Sequence, residues 1–163
     1  MLLRDEADIA VGSMLDIPVD IEYEPFVTYH PVLIAPKDHP LSHKRKLTLQ
    51  DIGDYGLILP PRHLSTWRIV KMIFAQHSVS FNVALEAGGW EVIKRYVKLG
   101  MGVSIVTDVC ITDADRRELA IIDISQYFPQ LSYGIVTHKG RFLSAPARRF
   151  INIIQDCFGH ENG

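Results

Sequence analysis

Along this chain, apolar residues come in short runs that alternate with stretches of helical spacing, and Gly, Pro and Asn/Asp/Ser positions punctuate the two. Ala7 to Ser13 (ADIAVGS) reads as a buried strand, with Met1 to Glu6 as the tail of a preceding helix. Tyr29 to Ala35 predicts a second strand, closed by the two prolines of Pro36-Lys37-Asp38-His39-Pro40. Thr48 starts a short helix that runs to Ile52, and Gly53 ends it. Tyr55 to Leu59 is a compact strand stopped by Pro60-Pro61.

Trp67 to Gln76 follows as a helix with Trp67, Val70, Ile73 and Phe74 on its core side, Ser65 and Thr66 standing where a cap is needed. Phe81 to Glu86 alternates as a strand does. Glu91 to Leu99 predicts a helix with Val92, Tyr96 and Leu99 on one stripe, broken by Gly100-Met101-Gly102 before the strand Val103 to Val106. Leu119 to Ile124 and Ser132 to Lys139 read as strands. Ala145 to Phe158 reads as a terminal helix with Phe150, Ile151, Ile154 and Phe158 on its apolar face. Strands alternating with helices make the class α/β, with a largely parallel sheet expected. In such sheets ligands gather beyond the carboxyl ends of strands, at helix N-termini.

Composition narrows the function classes. At 163 residues, 47% hydrophobic and 22% charged, this is an ordinary globular composition with room for one core or two small lobes. No apolar run approaches the roughly 20 residues of a bilayer span. Met1-Leu2-Leu3 passes at once into Arg4-Asp5-Glu6 without the apolar region of a signal peptide. Cys110 and Cys157 have apolar neighbours and read as buried, reduced thiols, so a cytoplasmic location is expected. A net charge of −2 with scattered basic residues argues against a nucleic-acid grip by this segment alone. The one basic run, His43-Lys44-Arg45-Lys46, reads as a solvated loop.

Two turns carry candidate binding chemistry. Pro61 to Arg68 joins a strand to a helix N-terminus, whose free N–H groups and dipole suit an anion, and Ser65 and Thr66 add hydroxyls; plain capping is the competing reading. Ala87-Gly88-Gly89-Trp90 is a second such turn, where Gly88 and Gly89 let backbone approach a ligand and Trp90 forms either a wall or part of the core. Arg62 and Arg68 could neutralise an anion or simply be solvated. His39 and His43 lack the further ligands a metal site needs, so no metal or cofactor is expected. No G-x-S-x-G elbow or nucleophile–base pair at motif spacing is present, so the chain does not read as an enzyme.

Four stretches in order resemble one family. Residues 4–11 (RDEADIAV) resemble a "G-x-A-D-I-A-I" strand, although Asp5 or Glu6 replaces the usual glycine. Residues 34–41 (IAPKDHPL) match an "x-x-P-x-x-H-P-L" turn, and residues 92–106 (VIKRYVKLGMGVSIV) match a "G-x-G-V" segment. Arg141-Phe142-Leu143 with Phe150-Ile151 matches the closing segment. This order and spacing resemble the effector-binding domain of LysR-type transcriptional regulators, and "V-I-K-x-Y-V-x-L-G" resembles their cysteine-biosynthesis (CysB-like) branch.

The resemblance implies a two-lobed type II periplasmic-binding-protein-like fold with an incomplete first lobe: 1–35 and 136–163 for lobe I, 36–135 for lobe II. It implies no counterpart here to the family's helix-turn-helix, linker helix or opening β-α-β-α. It adds Thr28, His30 and Thr137, near the hinge crossings, as ligand contacts beside Ser65, Thr66, Gly88, Gly89 and Trp90. The implied partners are a small anionic effector in the inter-lobe cleft (sulfate, thiosulfate or acetylserine), a homodimer or tetramer, and DNA only through a helix-turn-helix domain outside this chain, with no membrane. The rival readings are a periplasmic-type solute-binding protein of the same fold, an α/β enzyme, and a dimerisation module without a pocket.

Overall fold

The computed structural model describes residues 7–14 and 16–158. The expected helix over Met1 to Glu6 lies outside the described residues. The chain divides into two compact units, Met1–Tyr29 with Leu131–Gly163, and His30–Gln130. Both crossings fall before the expected boundaries at 35/36 and 135/136. The reason is pairing: the strand Pro31–Pro36 is bonded along its length to strands of the second unit, and Leu131–Gly134 to a strand of the first.

Unit 1 holds a three-stranded sheet ordered β1 (Ile9–Gly12), β8 (Leu131–His138), β2 (Ile21–Tyr29), and a helix, α5 (Ala145–Phe158). Both strand pairings are antiparallel; β2 leads out of the unit and β8 leads back in beside it. The polar spacing of Ile21–Tyr29 hides β2 from a reading by apolar runs, because Glu22 and Glu24 are exposed on it. Its register slips between Pro25 and Val27, where proline has no N–H to give. β1 is not the buried strand expected; Ala10 and Val11 are exposed. α5 covers its predicted span, but it buries Ala147 and Ile154, whereas Phe150 and Phe158 stay exposed. Cys157, expected to be buried, is exposed on the same helix; Cys110 is half-buried, and both thiols are free.

Unit 2 contains β3 (Pro31–Pro36), α1 (Leu49–Gly53), β4 (Gly56–Leu59), α2 (Ser65–Gln76), β5 (Asn82–Glu86) and α3 (Trp90–Lys98), then β6 (Ser104–Thr107), α4 (Asp113–Glu118) and β7 (Leu119–Asp123). β4 pairs in parallel with β5, and a parallel bridge, Leu57 to Val103, joins β4 to the chain entering β6. β3 runs antiparallel between β6 and β7. The expectation of a largely parallel sheet is therefore corrected: among the described residues parallel pairing is confined to β4, β5 and the start of β6, where helices α2 and α3 supply the crossovers. Gly102 is required at that junction, because a Cβ there would lie 2.5 Å from the Gly56 carbonyl oxygen.

Helix ends follow local chemistry. Thr48 caps α1 and Thr112 caps α4 through reciprocal capping boxes with Asp51 and Asp115. α4 is too short and polar to announce itself by periodicity. α2 begins two residues before the predicted start, so Ser65 and Thr66 lie inside it and Leu64 occupies the cap position. The α3 stripe is also corrected. Val92 and Leu99 face outward, and Ile93 and Val97 pack with Ile34, Ile58, Ala87, Val106 and Leu119. The basic run 43–46 is exposed, with Lys44 paired to Asp51.

Candidate functional site

Because β4, β5 and β6 run the same way, the turns that leave their carboxyl ends share one edge of unit 2. The register Leu59↔Glu86 aligns the ends of β4 and β5, and the Ala87 N–H donates to the Leu59 carbonyl at 3.0 Å. Antiparallel pairing of Pro31 with Thr107 and of Val32 with Asp123 brings the start of β3 and the end of β7 to the same edge.

The first turn runs from Pro60 into α2. No side chain caps this helix, so its first N–H groups are not satisfied by a neighbouring hydroxyl or carboxylate. Ser65 and Thr66, both half-buried, form its first turn. Arg62 donates from Nε to Glu86 Oε1 at 2.8 Å and lies 5.3 Å from the centroid of the Trp67 ring, tying this turn to the end of β5.

The second turn is Ala87-Gly88-Gly89. Gly89 is the N-cap residue of α3 at φ 85°, again with no side-chain cap. A Cβ placed on Gly88 or Gly89 would meet nothing within 4 Å, so backbone is what this turn presents. Trp90 is half-buried and packs against the apolar cluster under α3.

At the ends of β3 and β6 the sequence reading missed two residues. Asp108 accepts from the His30 N–H at 3.0 Å, its own N–H donates to the His30 carbonyl at 2.9 Å, and its second oxygen is 3.4 Å from the His30 ring. Beside it Thr107 Oγ1 is buried with no hydrogen-bond partner among the described residues. The signal for both was an acid and a hydroxyl ending the apolar run Val103 to Val106 (V-S-I-V-T-D) at the ligand-binding edge. Asp123 closes this corner; hydrogen bonds from the Ser125 backbone and hydroxyl, with a smaller contribution from His30, hold its carboxyl below the usual range.

Unit 2 therefore gathers Ser65, Thr66, Gly88, Gly89, Trp90 and His30. Thr28 and Thr137 belong to unit 1. Thr28 is exposed on β2 opposite Ser132, and Thr137 sits on β8 between Ile9 and Glu22. Thr137 lines a cavity of about 380 Å³ with Glu22, Glu24, Arg148 and Asn152 among others.

Carboxylates at the unit 2 edge are already partnered: Glu86 by Arg62, Asp108 by His30 and Asp123 by Ser125. What the edge offers a ligand is N–H donors from two helix starts, which suit an anion or an oxygen-rich molecule. His39 accepts from the Leu41 N–H, and its ring packs on Tyr55. Among the described residues no group of three or more His, Cys, Asp or Glu side chains is placed to hold a metal ion.

Residues 1–158 match the family model of the LysR substrate binding domain. The chain is 31% identical over 154 residues to the transcriptional regulator SsuR of Burkholderia cenocepacia, covering 94% of this chain and 50% of that one. It is 26% identical over 155 residues to CysB of the same organism, with the same coverages. It thus spans about half the length of these curated relatives. Among solved structures, the regulatory domain of Synechocystis PCC6803 CcmR in complex with 2-PG superposes with a TM-score of 0.85 at 27% identity, over 99% of this chain and 77% of that one. The cofactor-binding domain of the Cbl transcriptional regulator gives 0.81 at 25% identity, over 97% and 68%.

Proposed function

The chain belongs to the LysR substrate-binding domain family, and on that footing we propose that it is the effector-sensing part of a LysR-type transcriptional regulator and binds a small anionic metabolite at the carboxyl edge of unit 2. One observation carries the reading: α2 and α3 start at adjacent turns after parallel neighbours, and neither start is capped by a side chain. Two sets of free N–H donors and two helix dipoles then act on one place, worth more to an oxyanion than a single helix start. Ser65, Thr66, Gly88 and Gly89 make the contacts, and Trp90 and His30 flank them.

Sulfate, thiosulfate and an acetylated serine are the effector candidates that the resemblance of residues 92–100 to the CysB-like branch implies. The 2-PG complex of the CcmR regulatory domain supports a small-molecule ligand for this domain type. Effector binding acts by linkage. A ligand that prefers one arrangement of the domain shifts a homodimer or tetramer toward it, and helix-turn-helix domains outside this chain carry the change to DNA in the cytoplasm. The chain itself performs no catalytic step. No helix among the described residues is long and apolar enough to cross a membrane. The curated relatives are named as transcriptional regulators, which favours this reading over a solute-binding protein.

Calorimetric titration with sulfate, thiosulfate, O-acetylserine, N-acetylserine and 2-PG, followed by amide NMR, tests the proposal. Saturable binding that shifts the Ser65, Thr66, Gly88 and Gly89 amides is expected. A ligand that saturates the chain and leaves those four amides unmoved would sink the site.

A further inference from the structure

Lys94 is a charged side chain in the wrong place for an ordinary surface helix. It projects from α3 and is only 1% exposed. Its ammonium has three hydrogens, and three acceptors surround it: Asp115 Oδ2 at 2.6 Å, Glu91 Oε1 at 2.6 Å and the Cys110 carbonyl at 2.8 Å. Asp115 is itself buried and serves two elements, accepting from the Thr112 N–H and hydroxyl at the start of α4 and from Lys98 at 3.0 Å. Burial opposes charge on both partners. The hydrogen bonds that Lys94 donates to Asp115 and Glu91 outweigh burial for the lysine, and those from Lys94, Thr112 and Lys98 outweigh it for Asp115, so both stay ionised.

Stability alone does not account for the pair, since apolar residues of similar volume often replace a buried ion pair at no cost. The network differs from apolar packing in direction. Ile93 and Val97 hold α3 against Ile34, Ile58 and Val106 by apolar packing, which is non-directional. The bond to the Cys110 carbonyl is directed. Cys110 ends the short 3-10 turn Asp108–Cys110, and Asp108 is bonded to His30. Lys94 lies little more than a helical turn beyond Gly89. A single ammonium therefore ties the glycine turn at the start of α3 to the turn that carries Asp108, the partner of His30.

We propose that Lys94 is a positioning residue of the effector site: it sets the placement of the Gly88-Gly89 N–H donors relative to His30–Asp108. Its consequence for ligand binding rests on the function proposed above; its effect on α3 does not.

The test compares wild type with two double variants, in which both partners change so that no charge is stranded. Lys94→Met with Asp115→Asn removes the tie. Lys94→Gln with Asp115→Asn removes the charges but keeps an N–H for the Cys110 carbonyl. Residual dipolar couplings of the α3 amides against those of β4 and β6 read the helix orientation, and sulfate titration reads the site. In the Met/Asn pair, α3 couplings that no longer fit the wild-type orientation are expected, with sulfate affinity reduced about tenfold or more. The Gln/Asn pair is expected to restore the orientation and to bring affinity within about threefold of wild type.

Wild-type couplings and affinity in a folded Met/Asn protein overturn the proposal. So does a Gln/Asn protein that restores neither, because charge rather than directed bonding would then be what matters. If the Met/Asn protein does not fold, the Gln/Asn protein decides by the same criteria. If wild type itself shows no sulfate binding, the choice of sulfate as effector fails, and the couplings decide the placement of α3 without it.

Discussion

Arg62 and Glu86 are 24 residues apart, and the Arg62 Nε meets the Glu86 carboxylate at 2.8 Å across the two turns that begin α2 and α3. The arginine is largely exposed, so the pair holds the turns together without isolating the cation from solvent. Replacing Arg62 with alanine is expected to change stability by less than about 1 kcal/mol, as for other exposed pairs. It is expected to weaken sulfate binding several-fold and to lower the dependence of that binding on salt. Thermal melts and titrations at two ionic strengths check both.

The two glycines of the second turn separate conformation from space. Gly89 sits at φ 85°, which a side chain resists, whereas neither glycine has a neighbour that a Cβ would strike. Gly89→Val is expected to cost about 1–3 kcal/mol through backbone strain. Gly88→Ala is expected to leave the melting temperature within a few degrees and still reduce ligand affinity, because its methyl group enters the space beside the helix start. Denaturation and calorimetry on both variants distinguish the two effects.

Helix caps divide cleanly. Thr48→Ala and Thr112→Ala remove side chains that accept N–H bonds in capping boxes and are expected to cost about 1 kcal/mol each. Thr66→Ala removes no cap and is expected to cost less, while affecting ligand affinity. Urea unfolding of the three variants checks the ranking.

Acid sensitivity follows from two carboxyls. Hydrogen bonds from Lys44 and then Thr48 lower Asp51 to about 2. Asp115 is held well below the usual range despite its burial, by Lys94, Thr112 and Lys98. Both folded values lie under the unfolded value of about 3.9. Their stabilisation is therefore complete above that pH and lost as pH falls through the folded values. Lys94 is shifted upward, so its share is present below the unfolded lysine value and lost in strong base. Stability measured between pH 6 and pH 2 is expected to fall steeply in wild type and less steeply in Asp115→Asn.

Thr107 Oγ1 is buried without a partner among the described residues. Thr107→Val keeps the shape and removes the stranded hydroxyl, so it is expected to stabilise the fold by about 1 kcal/mol. Chemical denaturation checks the sign.

What the sequence by itself determined was local. Gly and Pro bracket the apolar runs that became β3, β4 and β8, Gly102 opens the run that became β6, Thr48 fits its capping box with Asp51, and Ala145 to Phe158 reads as a helix from end to end. Ordered motifs such as IAPKDHPL and VIKRYVKLGMGV also placed the chain in its family, since they record turn chemistry that depends on near neighbours. The turns at Ser65-Thr66 and Gly88-Gly89 were legible for the same reason.

Tertiary structure alone decided which strands pair and in which direction, because a partner strand contributes hydrogen bonds from far along the chain. The strand Ile21–Tyr29 is invisible as an apolar run yet bonds β8 along its length. Burial of α3 through Ile93 and Val97 rather than Val92 and Leu99 depends on the strands beneath it. The contacts His30–Asp108, Arg62–Glu86 and Lys94–Asp115 join residues 78, 24 and 21 positions apart. No periodicity encodes such distances; they arise when the β4–β5–β6 crossovers bring several strand ends to one edge, where charge must find a partner or remain in water.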